Sequence, residues 1–481
     1  MFGKQDVATP GSSAYIASLE SYFSALQSAV QPSCIVYPQN VQDVSAAVAA
    51  LTKTKQNGNC SFAIRSGGHT SWAGASNIQG GVVIDLSALN AIDLATDRST
   101  VSVGVGASWD LVYEKLDPLG LSVNGGRAAG VGKFYERVGG LTLGGGISFF
   151  SPRYGWTCDT VTNFQVVLAD GSIVEANTAN HSDLFFALKG GNNNFGIITR
   201  VDLRTFKQGL IWTGTVYNAF SSVDEVISEF TKINSVDAYD VNASLITSFG
   251  FSQARGLSVI SNQLAYTNAV ESPSVYKGLL DLPNLFNTSQ LVNMTTLSKS
   301  TEALQPNGAR SFSLVLTLAS KAEVLKAAYN EWNATVPAIT DVSNLTWALA
   351  LEPLPPAIYA RHAKHNALGL DNRSESLVVA LISATWKNAA DDVLVTKTAN
   401  SLLDSIKEAT GELGGLDPYI YLNYAGQYQD PIASYGSKSV NRLQQVRNRV
   451  DPHGVFTHQV PGGTRFRVFE SFEQPSLVWP I

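Results

Sequence analysis

The stretch Ala63-Ile-Arg-Ser-Gly-Gly-His-Thr-Ser-Trp-Ala-Gly74 sets one of only six histidines directly behind two glycines. A second glycine-dense region runs from Gly125-Gly-Arg-Ala-Ala-Gly-Val-Gly to Val138-Gly-Gly-Leu-Thr-Leu-Gly-Gly-Gly146. Each follows a strand-like run. Together they could offer backbone N–H groups to a pyrophosphate, which is dinucleotide chemistry, or they could simply make tight turns. A Gly-x-Gly-x-x-Gly turn after the first strand is absent, as is the Gly-x-x-x-x-Gly-Lys-Ser/Thr loop, so a nicotinamide dinucleotide on a doubly wound sheet loses ground. His362 and His365 lie three apart but lack the acidic and histidine partners of a zinc site. They read as surface or substrate-pocket residues, and no metal is expected.

These groups must be held by a chain of 481 residues, 44% hydrophobic, with 40 glycines and a formal charge of −6. That is the composition of a folded protein of two or three domains, large enough to bury a sizeable cofactor. No Lys/Arg-rich block marks a nucleic-acid or anionic-lipid partner, and no apolar run reaches the roughly 18 residues needed to span a bilayer. A small-molecule substrate is the expectation, with the protein acting as a monomer.

Localisation is read two ways. Met1-Phe-Gly-Lys-Gln-Asp lacks the start of a signal peptide, which points to the cytoplasm. Sequons at Asn59, Asn180, Asn242, Asn287, Asn293, Asn333, Asn344 and Asn372 point to a secreted glycoprotein. Three cysteines are too few for a disulfide scaffold. Cys34 and Cys60 each open a β-like run, so they read either as a bridge between neighbouring parallel strands or as two buried thiols, with Cys158 a packed free thiol.

The periodicity predicts an amphipathic helix over 13–28. A strand at Ile35, a helix over 43–51 and a strand at Phe62 then make a βαβ unit with parallel pairing. Strands follow at 82–86 and 100–105 and a helix at 109–116. The 125–146 region is too glycine-rich for the interior of a regular element. Runs 163–168 and 172–175 read as a hairpin around Ala169-Asp170-Gly171, followed by a helix near 184–188 and a strand from Gly196. From about 210 to 410 strands such as 311–318 and 377–386 alternate with polar helices, a separate α+β unit. Beyond it, 419–424 reads as a strand and 439–450 as a helix.

In order along the chain, Ile64-Arg-Ser-Gly-Gly-His-Thr, Gly80-Gly-Val-Val-Ile-Asp-Leu, Gly139-Gly-Leu-Thr-Leu-Gly-Gly-Gly, Pro152-Arg-Tyr-Gly155 with Asp159 and Val161, and Tyr421-Leu-Asn-Tyr424 resemble the FAD-linked oxidases of the berberine bridge enzyme-like group. That group lies in the vanillyl-alcohol oxidase/p-cresol methylhydroxylase (PCMH) superfamily. Gln429-Asp-Pro-Ile and Asp451-Pro-His-Gly-Val-Phe resemble its fungal members, which include oligosaccharide oxidases. The resemblance implies an α+β fold: a two-subdomain PCMH-type FAD-binding domain over 1–208, a substrate domain of antiparallel sheet flanked by helices over 209–410, and a segment over 411–481 that returns to the FAD domain and active site.

It also implies roles. His69 is expected to bond covalently to FAD, raising the flavin potential. Arg65, Ser66, Gly67, Gly68, Thr70, Gly139, Gly140, Thr142, Gly144, Gly145, Asp159, Val161, Gly196, Ile198 and Asn423 are expected around the cofactor. Ala128 stands where many relatives place a second, cysteinyl link, which leaves His69 as the single tether. Val131 stands where a valine is typical of oxidases that use O2 and release hydrogen peroxide. Lys133-Phe-Tyr-Glu-Arg137 interrupts the family's glycine run, as a functional insertion or a misplaced exon boundary.

Substrate oxidation needs a base within hydrogen-bond reach of the proton it removes. Tyr421 is the first candidate and Tyr424 the second, placed on opposite faces if the segment is a strand. Glu352 could orient a hydroxyl or act as base, or be a solvated strand end. The implied reaction is oxidation of an alcohol, sugar hemiacetal or specialised metabolite. The alternatives are a non-redox pericyclase on the same fold and a flavin dehydrogenase with another acceptor.

Overall fold

The computed structural model describes residues 3, 6–53, 60–129, 136–237, 239–302 and 308–466. Among them, the strands form three sheets. The first has the order Val7–Ala8, Cys34–Val36, Val82–Asp85, Phe62–Arg65, with its last three strands parallel. The helix Val41–Lys53 crosses between Cys34–Val36 and Phe62–Arg65, as expected, but those two strands are not neighbours. Val82–Asp85 inserts between them, Val82 facing both Cys34 and Phe62. Strands two places apart are separated by about 9–10 Å, beyond disulfide reach. Cys34, Cys60 and Cys158 are free thiols.

The opening segment is two short helices, Ser13–Leu19 and Ala25–Ser28, rather than one. Arg65 supplies the reason. Its guanidinium donates to the carbonyls and hydroxyls of Ser18 and Ser21 at 2.7–2.9 Å, taking acceptors that a continuous helix would use. The Ala25 amide turns instead to the Ala309 carbonyl.

The second sheet is antiparallel, in the order Ile92–Leu94, Thr100–Gly104, Ile197–Lys207, Val161–Val167, Ile173–Asn177, with Leu121–Val123 also on Ile197–Lys207. The expected hairpin turns at Gly171 (φ +84°), where Asp170 accepts from the Ser172 amide. Contrary to expectation, the glycine-rich segment contains a helix, Val138–Leu143. Its glycines serve packing: a Cβ on Gly139 would come within 3.0 Å of Ser66 Oγ, and one on Gly144, the C-cap, within 2.0 Å of Asn423 Oδ1.

The third sheet, also antiparallel, runs Phe286–Asn287, Ile211–Asn218, Leu257–Tyr266, Ala243–Ser252, Thr346–Leu354, Leu377–Trp386, Arg310–Ala319, Leu416–Asp417, with Gln290–Val292 paired to Ile211–Asn218. Alternation gives it two faces. Leu349, Leu351, Leu316 and Val378 share one core with the helices Val223–Ile233, Ala322–Thr335 and Asp392–Glu412. Leu354, Val315 and Val379 look the other way, into the core shared with the first two sheets. After Asp417 the chain returns across that second face. Gln429 locks it there, donating to the Val315 carbonyl (2.7 Å) and accepting from the Val315 amide (3.0 Å). Within this return, 419–424 is not a strand; Leu422–Tyr424 is a single 3₁₀ turn.

Candidate functional site

The strand Phe62–Arg65 delivers the histidine loop. Arg65, 2% exposed, anchors it: besides the two serines it lies 3.6 Å from Asp85 and 3.6 Å over the Tyr22 ring. Its guanidinium is thus committed to the fold. Gly68 turns the chain at φ +71°, where a Cβ would strike Tyr22 at 2.7 Å. Beyond that turn the His69 ring stacks on Phe23, with centroids 4.3 Å apart. Burial pushes its imidazole down to about 4, so the ring is neutral at pH 7. Neither ring nitrogen has a hydrogen-bond partner among the described residues, which leaves a nucleophilic lone pair unengaged.

Across from it stands the second glycine segment. Ser66 Oγ donates to the Val105 carbonyl at 2.7 Å and abuts Gly139, so the two loops touch. The Val138 amide donates to the Ala107 carbonyl at 3.1 Å, but those of Gly139 and Gly140, next in Val138–Leu143, have no intrahelical acceptor, and Arg137 provides no side-chain cap. A Cβ on Gly140 would meet nothing within 4 Å. Ser108 Oγ, buried beside this turn, has no hydrogen-bond partner among the described residues. Uncapped amides, a glycine facing open space, an orphaned hydroxyl and an unpartnered neutral imidazole are a donor set that fits a flavin dinucleotide.

Not every expected cofactor residue lies here. Thr142, buried, turns its hydroxyl back to the Val138 carbonyl. Gly145 takes φ +106° against Leu368, and Thr70 is exposed. Gly196 and Ile198 pack in the second sheet against Val166. Asp159 and Val161 line a separate cleft with Lys189 and His362. Val131, and Lys133 to Tyr135 of the interrupting segment, lie outside the described residues.

The catalytic candidates do converge. Glu352 follows Leu351 on Thr346–Leu354 and therefore points to the second face of the large sheet. It is 3% exposed, so it is no solvated strand end. Arg127 meets it in two contacts, Nη1 to Oε2 at 3.0 Å and Nη2 to Oε1 at 3.2 Å. Tyr424 donates its hydroxyl proton to Glu352 Oε1 at 2.8 Å and accepts from Arg127 Nη2 at 2.7 Å. Burial opposes the charge on Arg127, but Glu352 and Tyr424 more than offset it and hold the guanidinium above its ordinary value. The Tyr424 phenol is raised, first by burial and despite Arg127.

Tyr421 stands on the same side as Tyr424, with centroids 5.0 Å apart, rather than on the opposite face. A 3₁₀ turn superimposes residues three apart, which is why the strand-based alternation fails here. Tyr421 Oη accepts from the Ile147 amide (3.0 Å) and from Asn423 Nδ2 (3.1 Å), and its ring stacks on Trp156. Asn423 also donates to the Leu141 carbonyl at 2.9 Å, tying the turn to the glycine helix.

Sequence reasoning missed Arg127, the hub of this cluster, and Glu136, which accepts from the Ala128 amide at 3.1 Å and whose carboxyl burial pushes up to about 7. A lone arginine inside Gly125-Gly-Arg-Ala-Ala-Gly was the available signal for the first. A charge set in small apolar residues needs a partner.

A mixed fold with two facing glycine loops beneath a sheet that contributes a buried acid defines the class: an FAD-binding oxidoreductase. Residues 32–177 match the family described as FAD binding domain. The chain is 37% identical to the FAD-dependent monooxygenase sdcF of Emericella nidulans, covering 95% of both chains. It is 50% identical to the oligopeptidase PhomG' of Diaporthe leptostromiformis, over 96% of this chain but only 36% of that protein's length. Its fold is that of 6-hydroxy-D-nicotine oxidase from Arthrobacter nicotinovorans, with a TM-score of 0.78, 20% identity, and 94% and 96% of the two chains covered. The chain belongs to the family of the fungal FAD-dependent monooxygenases, and its fold is shared by berberine bridge enzyme, with a TM-score of 0.75 and 17% identity.

Proposed function

We propose that this protein is an FAD-dependent oxidase that removes a hydride and a proton from an alcohol, a sugar hemiacetal or a specialised metabolite. FAD, when bound, supplies the two-electron acceptor and returns the electrons to O2 as hydrogen peroxide. His69, with Gly139 and Gly140, would hold it. The unpartnered neutral imidazole supports His69 as its single covalent tether. The choice of O2 over another acceptor rests on the residue type at Val131.

The observation that carries the reading is the Arg127–Glu352–Tyr424 cluster. Tyr424 is half-buried and reachable, whereas Glu352 is shut behind it. A substrate hydroxyl at Tyr424 loses its proton to the phenol oxygen while the phenol passes its own proton to Glu352. Glu352 is the end of the proton's path and the tyrosine the relay. A free phenolate beside Glu352 would place two negative charges on one hydrogen bond, which disfavours Tyr424 as the sole base. Arg127 balances the carboxylate before the proton arrives and keeps it oriented. Tyr421, 1% exposed and accepting from the Ile147 amide and Asn423, holds the turn that carries Tyr424.

Peroxide release from a panel of alcohols and oligosaccharides, read with anaerobic flavin bleaching, tests the proposal. Turnover with stoichiometric peroxide is expected. Cyclisation without bleaching would replace the reading with a non-redox role, and bleaching without reoxidation by air with a dehydrogenase. We read the protein as secreted, supported by the exposure of Asn180, Asn287, Asn333, Asn344 and Asn372. A glycosidase-sensitive mass shift on the native protein is the check.

A further inference from the structure

Lys189 closes the helix Ser182–Leu188 as its C-cap residue and is 5% exposed. Its ammonium has no hydrogen-bond or ion-pair partner among the described residues. It folds back over Phe185, 4.0 Å from the ring centroid. A cation–π contact returns much less than burial of an unpaired ammonium costs. Asp159 is near but otherwise engaged, accepting from the Trp156 amide at 3.0 Å and Asn366 Nδ2 at 2.9 Å.

The ammonium faces a cleft of about 460 Å³ walled by this helix, the start of strand Val161–Val167 and the 362–366 loop. That loop is pinned in place by the Ala367 amide, which donates to the Lys189 carbonyl at 2.8 Å. Arg204, Lys364 and Arg442 line the same cleft, so with Lys189 four basic side chains face the single carboxylate of Asp159 in a chain whose formal charge is −6. Arg442 lies 3.4 Å over the Phe186 ring, and none of these three has an ion-pair partner among the described residues. His362 and His365 are also in the lining; burial first, then Arg361, Lys189 and His365, push the His362 imidazole down. No lining residue is bonded to His69, Arg127, Glu352, Tyr421 or Tyr424 among the described residues.

We propose that this cleft binds a small phosphate-class dianion, with Lys189 at its floor and Arg204 and Arg442 at its mouth, separate from the redox site. The anion's source is either free phosphate or the phosphate group of a larger metabolite.

The test is calorimetric titration of the flavin-loaded protein with inorganic phosphate and with phenyl phosphate, at constant ionic strength set by chloride. Saturable phosphate binding is expected, weakened about tenfold or more by Lys189→Met and by Arg442→Gln, with flavin absorbance unchanged. Tighter binding of phenyl phosphate would identify a metabolite as the source; equal affinity would identify the free anion. In phosphate-free buffer Lys189→Met should melt higher than the parent, because it removes an uncompensated buried charge, and it should lose the phosphate-induced rise in Tm. The proposal is overturned by absence of saturable binding to the parent, by unchanged binding in both variants, or by a lower phosphate-free Tm for Lys189→Met. Loss of flavin from either variant would also overturn it, by assigning the cleft to the dinucleotide.

Discussion

Tyr424 Oη and Glu352 Oε1 stand 2.8 Å apart, joined by a hydrogen bond between a one-turn helix of the returning chain and the inner face of the large sheet. The bond makes one proton-handling unit of two residues that each looked, alone, like a possible base. Removing the phenol should therefore cost nearly as much as removing the acid. Tyr424→Phe and Glu352→Gln are each expected to lower kcat by about 10²- to 10⁴-fold, with the double variant little worse than either single. Additive losses in the double variant would show that the two residues act separately.

Arg127 is held by that pair, and its loss leaves Glu352 buried without its counter-charge. Arg127→Met should cost about 3–5 kcal/mol of stability in denaturant unfolding. Adding Glu352→Gln should restore most of it, because the orphaned charge is then gone. A double variant as unstable as the single would place the cost in lost packing.

His69 is neutral, has no hydrogen-bond partner among the described residues, and is stacked on Phe23. Acid precipitation of the native protein should leave the yellow flavin in the pellet, and mass analysis should find it on the peptide that contains His69. His69→Ala should release it on precipitation. A colourless wild-type pellet would sink the tether.

Glu136 gives the fold a pH dependence of definite sign. Burial pushes its carboxyl up to about 7 from the ordinary 4.5, the Ala128 amide and Arg127 only partly opposing the shift. Between those values the folded chain keeps a proton that the unfolded chain has released. Its stabilisation is therefore complete below the unfolded value and lost as pH rises through about 7, at up to about 1.4 kcal/mol per pH unit. Glu136→Gln should flatten this slope in urea melts between pH 5 and 8 and be more stable than the parent at pH 8. Parallel curves for the two proteins would contradict the burial.

What the chain determined locally was read correctly where a short-range pattern carried the signal. The alternating run Leu377–Trp386 is a strand over that whole span, Asp170-Gly171 makes the hairpin turn, and Gly68 takes the positive φ that lets the chain turn under His69. Arg127, the hub of the site, went unread although it stands alone among glycines and alanines. Only the tertiary structure decided what that arginine meets, because its partners lie 225 and 297 residues away, on a sheet face and in a turn. The same long-range competition broke the opening helix, where Arg65 takes the Ser18 and Ser21 carbonyls, and slid Val82–Asp85 between the two strands of the expected βαβ unit. Periodicity records which side of an element is buried. It holds no record of which distant donor will claim a carbonyl or balance a buried charge, and this protein's acid, relay and counter-charge are assembled by those choices.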